Sequence, residues 1–443
     1  MRSLEPTPRS ASTARHGLSR RGFLAATSAA GLGAAALTAC GSDDSGGKDS
    51  SGRTVVEWWN ITTGDPGKSI WAARAKEFEK QNPHVRIKPV VLENDAYKTK
   101  MTALISSGKL PDIFHTWGGG VLGQQVEAGL VEDLTESAAD VTGGMMAAAK
   151  KPYELDGRTY AVPFDIGAVG FWYNKKLFAQ AGIDAPPTTW AAYLDAVRAL
   201  KDADITPIAL AGKEKWTGMY YWSYLAMRIA GLDQMRQAAE SKDFTGDDFV
   251  KAGEHLKELV DLKPFQKGFL GAAYSTPTGQ AATVGNAKAA MELMGQWAPT
   301  VESDQGKGIG EDLGFFQFPA VDGGKGALTE VFGGGGGHAL RKGAPKEALE
   351  FVKFFAAAEF DRKLVKETGL IPVVTAAADA LSDPNLKQVS DALNGSTGFQ
   401  LYLDQDYPPA VGQEINDSTG ALIAGSKSPA DVAKSITQVF KSQ

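Results

Sequence analysis

The chain has 443 residues, of which 43% are apolar, and it carries a formal net charge of −6. This length exceeds what one hydrophobic core usually serves, so we expect two lobes of roughly 150 to 200 residues each. The acidic balance argues against nucleic acid or an anionic membrane surface as a partner, because both require clustered positive charge.

The first predicted element is a targeting segment that ends at Cys40. Arg20 and Arg21 precede an apolar run rich in Ala and Gly, and Leu37-Thr38-Ala39-Cys40 closes it. The paired arginines are typical of a twin-arginine export signal, and the closing tetrapeptide resembles a lipobox, at which a prolipoprotein is lipidated on sulfur and cleaved. A buried core thiol is the alternative for Cys40, but the Gly, Ser and Asp residues that follow at once favour lipidation. We therefore expect residues 1–39 to be removed.

The next segment, residues 40–53, is predicted to be the lipidated cysteine and a flexible linker. Its Gly, Ser, Asp and Lys residues cannot bury a core. Beyond Cys40 no apolar run approaches the roughly 18 residues that span a bilayer. We expect the folded body to begin near Thr54, on the extracellular face of the cell membrane, with the lipid as its only membrane contact.

Strands and helices then alternate in the predicted order. Residues 54–58, 85–92 and 113–115 have the β-branched and aromatic composition of strands, while residues 68–81 and a segment after Asp95 have helical spacing. This alternation predicts right-handed βαβ units and a mostly parallel sheet, hence an α/β fold.

Ligands of such sheets bind beyond the carboxyl ends of the strands. Polar side chains stand at the ends of all three predicted strands in this chain, with a tryptophan at two of them. The first candidate binding residues are therefore Asn60, Glu93, Asn94, His115 and Trp117.

Three crossings between the lobes are predicted, near Asp165, Phe316 and Pro372. Residues 157–174 read as two β-like runs broken by Pro163 and Gly167, as expected of a strand that passes between lobes. Lobe 1 would then hold residues 54–164 and 318–372, and lobe 2 residues 165–317 and 373–443.

Four stretches together resemble the extracellular sugar-binding proteins of ABC importers, the group that includes the maltose-binding protein. They are Pro111-Asp112-Ile113-Phe114, Ala161-Val162-Pro163 with Tyr173-Asn174-Lys175, the run from Ala290 to Trp297, and the run from Pro345 to Phe355. The resemblance covers almost all of the chain from Thr54 onward and is greatest to actinobacterial binders of xylobiose and related short oligosaccharides. It implies a periplasmic-binding-protein-like fold of two lobes with three hinge crossings, closing on an oligosaccharide that is passed to permease subunits.

The resemblance also assigns residues. Trp297 matches the tryptophan that stacks on a sugar ring, and Asp404 falls in a late segment that supplies a sugar contact. Gly167 stands where the maltose binder has a ligand-contacting acid, so Asp165 is expected to substitute. Asn60, Glu93, His115 and Trp117 match loop positions of the first lobe.

These residue types suit a pyranose, which has an apolar face for an aromatic plane and a rim of hydroxyls for carboxylates, amides and imidazoles. Core packing is the alternative for Trp297. Trp216, Tyr220 and Tyr224 are spaced as one helical stripe, which favours core packing, and only Trp216, near the helix start, joins the candidate site. Tyr274, Gly334 and His338 complete the set.

Other chemistries are not supported by motifs. Gly333 to Gly337 lacks the Lys-Ser or Lys-Thr ending of a phosphate loop, and close backbone approach to a ligand or a hinge-side turn explains its glycines better. No Gly-x-Ser-x-Gly occurs, and the histidines lack zinc-site spacing. We therefore expect a monomeric binding protein without cofactor or metal, rather than an enzyme.

Three alternatives stay open. The ligand could be another di- or trisaccharide, such as cellobiose, raffinose or chitobiose. The protein could be an extracellular glycosidase, which requires two carboxylates about 5 to 9 Å apart. The adjacent Tyr220 and Tyr221 resemble those of ferric-ion binders of the same superfamily.

Overall fold

The structure, a computed structural model, describes residues 47–443. The predicted signal segment, Cys40 and the first part of the predicted linker lie outside these residues. We expected this linker to be flexible, but its end is bonded to the folded body. The N–H of Val55 donates to the carbonyl of Gly47 at 3.1 Å, and Asp49 pairs with Arg53. Within the described part of the chain, no helix is long and apolar enough to cross a membrane.

Strands and helices alternate along the chain in the predicted manner. The strands are β1 Thr54–Asn60, β2 Val85–Val91, β3 Ile113–Thr116, β4 Glu154–Leu155, β5 Arg158–Thr159, β6 Ala161–Pro163, β7 Gly167–Ala168, β8 Gly170–Asn174, β9 Met291–Met294, β10 Leu313–Phe316, β11 Glu330–Gly334, β12 Gly337–Leu340 and β13 Gly398–Leu401. The helices are α1 Gly67–Gln81, α2 Asn94–Ser107, α3 Gly119–Glu127, α4 Ala139–Thr142, α5 Ala147–Lys150, α6 Lys175–Gln180, α7 Trp190–Asp202, α8 Trp216–Ala230, α9 Leu232–Glu240, α10 Asp247–Asp261, α11 Gln280–Gly285, α12 Ala298–Gln305, α13 Lys346–Phe355, α14 Ala358–Thr368, α15 Pro384–Asn394, α16 Leu403–Asp406, α17 Pro409–Ile423 and α18 Pro429–Ser442.

Lobe 1 is built on a five-stranded sheet of order β2-β1-β3-β12-β6. β1 is parallel to β2 and β3, as the βαβ reading predicts, while β12 returns from far along the chain and is antiparallel to β3. Its core is aromatic: Trp58 of β1 stacks on Trp71 of α1 at 5.4 Å, and Phe351 and Phe355 of α13 meet Trp58 edge-on. The sheet therefore places the loops after β1, β2 and β3 on one edge.

Lobe 2 contains two small sheets, of order β10-β8-β9 and β13-β11-β7. They pack around α8, in which every residue except Trp216 is buried. Tyr224 of α8 stacks on Phe318 at 4.6 Å with an interplanar angle of 7°. The predicted two-lobe α/β architecture is confirmed, and Tyr224 belongs to the core as expected.

The first crossing lies where we predicted it, because β6 belongs to the sheet of lobe 1 and β7 to a sheet of lobe 2. The second is at Gly335 and Gly336, between β11 and β12, rather than near Phe316. Residues 318–330 stay with lobe 2, since the buried guanidinium of Arg228 on α8 donates to the carbonyls of Phe318 and Ala327.

The third crossing lies after Ala380 rather than near Pro372. Residues 373–375 still bond to lobe 1, where the N–H of Met146 donates to the carbonyl of Val373 at 2.9 Å. Asn385 of α15 then donates to the carbonyl of Leu313 in lobe 2 at 3.1 Å. The sequence misplaced both crossings because the glycine and proline signals mark bends, whereas the lobe that a segment joins depends on distant partners.

Candidate functional site

A cavity of about 310 Å³ opens between the lobes. Lobe 1 contributes the loop after β1, the start of α2 and the loop after β3, which all lie at the carboxyl edge of its sheet. Lobe 2 contributes the first turns of α8 and α12 together with α16, and two hinge crossings form the floor. The site therefore lies at the edge of the sheet where parallel strands leave their loops free.

Most of the predicted binding residues line this cavity. The structure brings together residues that are up to 311 positions apart in the chain, from both lobes and from the hinge. They are Glu93, Asn94, His115, Trp117, Asp165, Trp216, Tyr274, Trp297 and Asp404.

Three predicted residues do not line it. Asn60 is 1% exposed at the end of β1, where its side-chain oxygen accepts the N–H of Thr62 at 3.1 Å. Gly334 lies in β11 beneath Tyr402, whose ring is 2.4 Å from where a Cβ would stand. His338 is 2% exposed among the aromatic rings of the lobe 1 core, and burial lowers its pKa to about 3, so the imidazole is neutral.

Aromatic side chains form most of the lobe 2 wall. The indole of Trp297 is half-buried at the start of α12, lies against Gly295 and meets Tyr402 edge-on at 6.3 Å. Tyr402 in turn stacks on Tyr220 at 5.4 Å, and Trp216 meets Tyr274 at 5.5 Å. This wall offers apolar planes with polar edges, which suit a ring that has one apolar face.

Several buried polar groups on the cavity lining have no hydrogen-bond partner among the described residues, including the hydroxyls of Tyr274 and Tyr402. Both ring nitrogens of His115 and the indole N–H of Trp216 make no hydrogen bond. Burial lowers the pKa of His115 well below its usual value, so its ring is neutral and offers one donor and one acceptor. These atoms are therefore available to hydrogen-bond a polar ligand in the cavity.

Asp165 fastens the floor of the cavity at the hinge. Its carboxylate accepts the N–H of Gly336 on the second crossing and the side-chain amide of Gln296 at 3.1 Å. Burial raises the pKa of Asp165 to about 7, and the two donors oppose that rise. The glycines of the second crossing are required here, since a Cβ on Gly335 would lie 2.1 Å from the carbonyl oxygen of Asp165.

Gly167 cannot carry the acid that the resemblance would place there. A Cβ at this position would lie 1.5 Å from the side-chain oxygen of Gln296. The same glutamine holds Asp165. Gln296 therefore occupies the space beside Gly167, and the side chain of Asp165 lines the cavity.

Sequence reasoning missed several lining residues. Thr300 and Asp304 lie three and seven positions after Trp297, so the helical spacing of α12 could have placed all three on one face. Tyr220 was predicted to be core and is buried, yet its ring also lines the cavity. Lys98 had no signal, because only its pairing with Asp404 across the lobes brings it to the site.

Two buried carboxyl groups of lobe 2 are not part of the cavity. Glu292 of β9 and Glu302 of α12 are both fully buried, and burial raises the pKa of each, so the pair retains a proton. Neither lines the cavity. Nowhere in residues 47–443 do three or more His, Cys, Asp or Glu side chains come together in a way that could hold a metal ion.

Comparison with known proteins gives consistent matches over most of the chain. A sequence model of the bacterial extracellular solute-binding protein family matches residues 62–360. The diacetylchitobiose binding protein of Streptomyces coelicolor is 25% identical over 438 residues, which cover 95% of this chain and 98% of that protein. The multiple sugar-binding protein of Streptococcus mutans is 27% identical over 300 residues, covering 65% of this chain and 68% of that one.

Solved structures match equally well. A protein from work on xylan utilisation by the thermophilic bacterium Caldanaerobius polysaccharolyticus superposes with a TM-score of 0.81, at 29% identity over 87% of this chain and 99% of that chain. A chitin oligosaccharide binding protein superposes with a TM-score of 0.82, at 25% identity over 88% of this chain and 98% of that chain.

Proposed function

Because this chain belongs to the bacterial extracellular solute-binding protein family, we propose that it captures a short oligosaccharide between its lobes and delivers it to an ABC permease. The mechanism is lobe closure. Contacts that the ligand makes only when both lobes surround it shift the population to the closed form, and the permease recognises that form. The protein acts as a receptor and not as an enzyme.

The unpartnered nitrogens of His115 and Trp216 support a sugar ligand more than any other observation. A pyranose supplies both hydroxyl donors and acceptors for them, while its apolar face covers the indole of Trp297. A purely apolar ligand would leave these groups unpaired. The tyrosine pair that suggested ferric iron does not support that reading, since Tyr221 is 1% exposed and does not line the cavity.

Xylobiose or a short xylo-oligosaccharide is the ligand we favour. Support comes from the similarity to the protein associated with xylan utilisation and from the cavity volume of about 310 Å³, which is at the small end of ligand pockets. Chitobiose is the second candidate, because a diacetylchitobiose binder matches nearly the full chain. Cellobiose and raffinose complete the panel.

A thermal-shift screen against this panel tests the proposal. A ligand at about 100 times its dissociation constant stabilises the folded state by about 2.7 kcal/mol, which is a readily measured rise in melting temperature. Calorimetry then gives the dissociation constant of each sugar that shifts the transition. If no oligosaccharide raised the melting temperature, the assignment would be overturned. If shorter sugars appeared after incubation with an oligosaccharide, the protein would be a glycosidase instead.

We also propose that a lipid on Cys40 holds the protein at the extracellular membrane face, as a monomer. Support comes from the lipobox-like sequence and from the extracellular family. Cys40→Ser should release the protein to the medium, as measured by immunoblotting of membrane and medium fractions. Unchanged membrane retention of this variant would contradict the anchor.

A further inference from the structure

Most of the charged side chains that line the cavity are acidic. Among residues 47–443, Lys98 is the one lining residue with a positive charge, and His115 is neutral because burial lowers its pKa. The lining residues with carboxylates are Asp65, Glu93, Asp165, Asp304 and Asp404.

The ammonium of Lys98 is already engaged. Its Nζ lies 2.9 Å from Oδ2 of Asp404, which joins α2 of lobe 1 to α16 of lobe 2. The side chain of Lys98 is 31% exposed and its Nζ lies 5.2 Å from the centre of the Trp117 ring. The positive charge of the cavity is therefore neutralised by the protein itself.

Asp404 cannot easily turn away from this position. Its side chain is 7% exposed, and the amide of Asn416 on α17 also donates to Oδ2, at 3.3 Å. The backbone of α16 packs so closely on α17 that a Cβ on Gly412 would lie 2.7 Å from the Cα of Asp404. Lys98, with its longer and more exposed side chain, is the mobile partner of the pair.

From this geometry we infer that the Lys98–Asp404 pair makes the cleft selective against sugar acids; the inference rests on the proposed function. A carboxylate buried on binding needs a cation to pair with. A uronic acid would meet Asp404 instead, and could gain Lys98 only by leaving Asp404 buried without a cation. Neutral sugars avoid this cost, because their hydroxyls donate to carboxylates.

Calorimetry on matched pairs of disaccharides tests the inference. The probes are cellobiose with cellobiouronic acid, and β-1,4-glucosyl-xylose with β-1,4-glucuronosyl-xylose. The members of each pair differ only in a hydroxymethyl or a carboxylate at C6, and the readout is the ratio of their two dissociation constants. For the natural protein we expect the neutral member to bind at least about tenfold tighter. Asp404→Asn should narrow that ratio by about tenfold, because it frees the ammonium for the sugar carboxylate.

Two further variants separate charge from shape. Lys98→Met should widen the ratio, since Asp404 then faces the sugar acid without any cation. Asp322→Asn, which changes an exposed carboxylate away from the cavity, should leave every constant unchanged. A 6-amino-6-deoxy cellobiose should escape the penalty, because repulsion between carboxylates acts only on an anion.

The experiment distinguishes a failure of this inference from a failure of the proposed function. Equal binding of neutral and acidic sugars by the natural protein would overturn the inference alone, and so would an Asp404→Asn ratio that does not move. Failure of every disaccharide to bind would overturn the proposed function and this inference with it.

Discussion

Trp297→Ala is the most direct perturbation of the binding wall. One face of the indole is occupied by the chain itself, since a Cβ on Gly295 would lie 2.2 Å from the ring, and the residue is half-buried beside a cavity that it lines. A sugar that covers the open face removes roughly 100 Å² of apolar surface, about half of what a buried tryptophan contributes. At about 25 cal/mol per Å² this is about 2.5 kcal/mol, or a loss of affinity of roughly 60-fold.

Isothermal titration with the oligosaccharide that shifts the melting temperature most is the assay. The unliganded melting temperature of Trp297→Ala should fall by less than about 4 °C, because little core contact is lost. Trp59→Ala is the matched control: Trp59 is also half-buried, but it lies outside the cavity and its N–H donates to Glu57. We expect this control to bind like the natural protein.

Two results would refute the reasoning. If Trp297→Ala bound within about threefold of the natural protein, the indole would not stack on the sugar. If its unliganded melting temperature fell by more than about 10 °C, Trp297 would be a core residue, and the lost affinity would reflect a disordered lobe.

Three further variants test single groups. His115→Phe should weaken binding at least about tenfold in calorimetry without lowering the unliganded melting temperature, because it removes nitrogens that have no protein partner; unchanged affinity would exclude His115 from the site. In the natural protein the raised pKa of Asp165 means that the folded state keeps a proton that the unfolded state has lost, so the free energy of unfolding should fall as pH rises from about 4 to about 7. Asp165→Asn should make that part of the profile less steep in urea titrations, while other buried carboxyls with raised pKa values, such as Glu214 and Asp361, still contribute. An unchanged slope would contradict the shift. At pH values above 7, Glu302→Gln should have a higher melting temperature than the natural protein, since the neighbouring Glu292 can then ionise without facing a second anion. A lower melting temperature than that of the natural protein would show that a shared proton does not hold the pair together.

The misplacement of Asn60 comes from the predicted end of a strand. Successive side chains of a strand point to opposite faces, and a strand boundary misplaced by one or two residues moves a residue from the loop into the sheet. Asn60 still belongs to β1, and the lining starts with the residue after it. His338 pairs directly with His115 on the neighbouring strand, yet Trp58, Trp71 and Phe355 surround it.

The aromatic stripe of α8 shows the same limit in a helix. Helical spacing indicates that Trp216, Tyr220 and Tyr224 share a face, and this is correct. It does not indicate where along that face the core ends and the cleft begins. Tyr224 meets Phe318 in the core, whereas Tyr220 and Trp216 reach the cavity about one and two turns earlier, respectively.

What the sequence by itself determined is local: the parallel βαβ start of lobe 1, the first crossing at Asp165, and a tryptophan placed directly after a buried strand. Each depends on a local pattern, either the spacing of hydrophobic residues or the placement of glycine and proline. Such patterns do not depend on distant contacts. Only the tertiary structure decided where the chain crosses again, which aromatic rings face the cleft, and that Lys98 meets an aspartate 306 positions away. A cleft exists where two separately packed surfaces meet, so its members are chosen by long-range packing that no local pattern records.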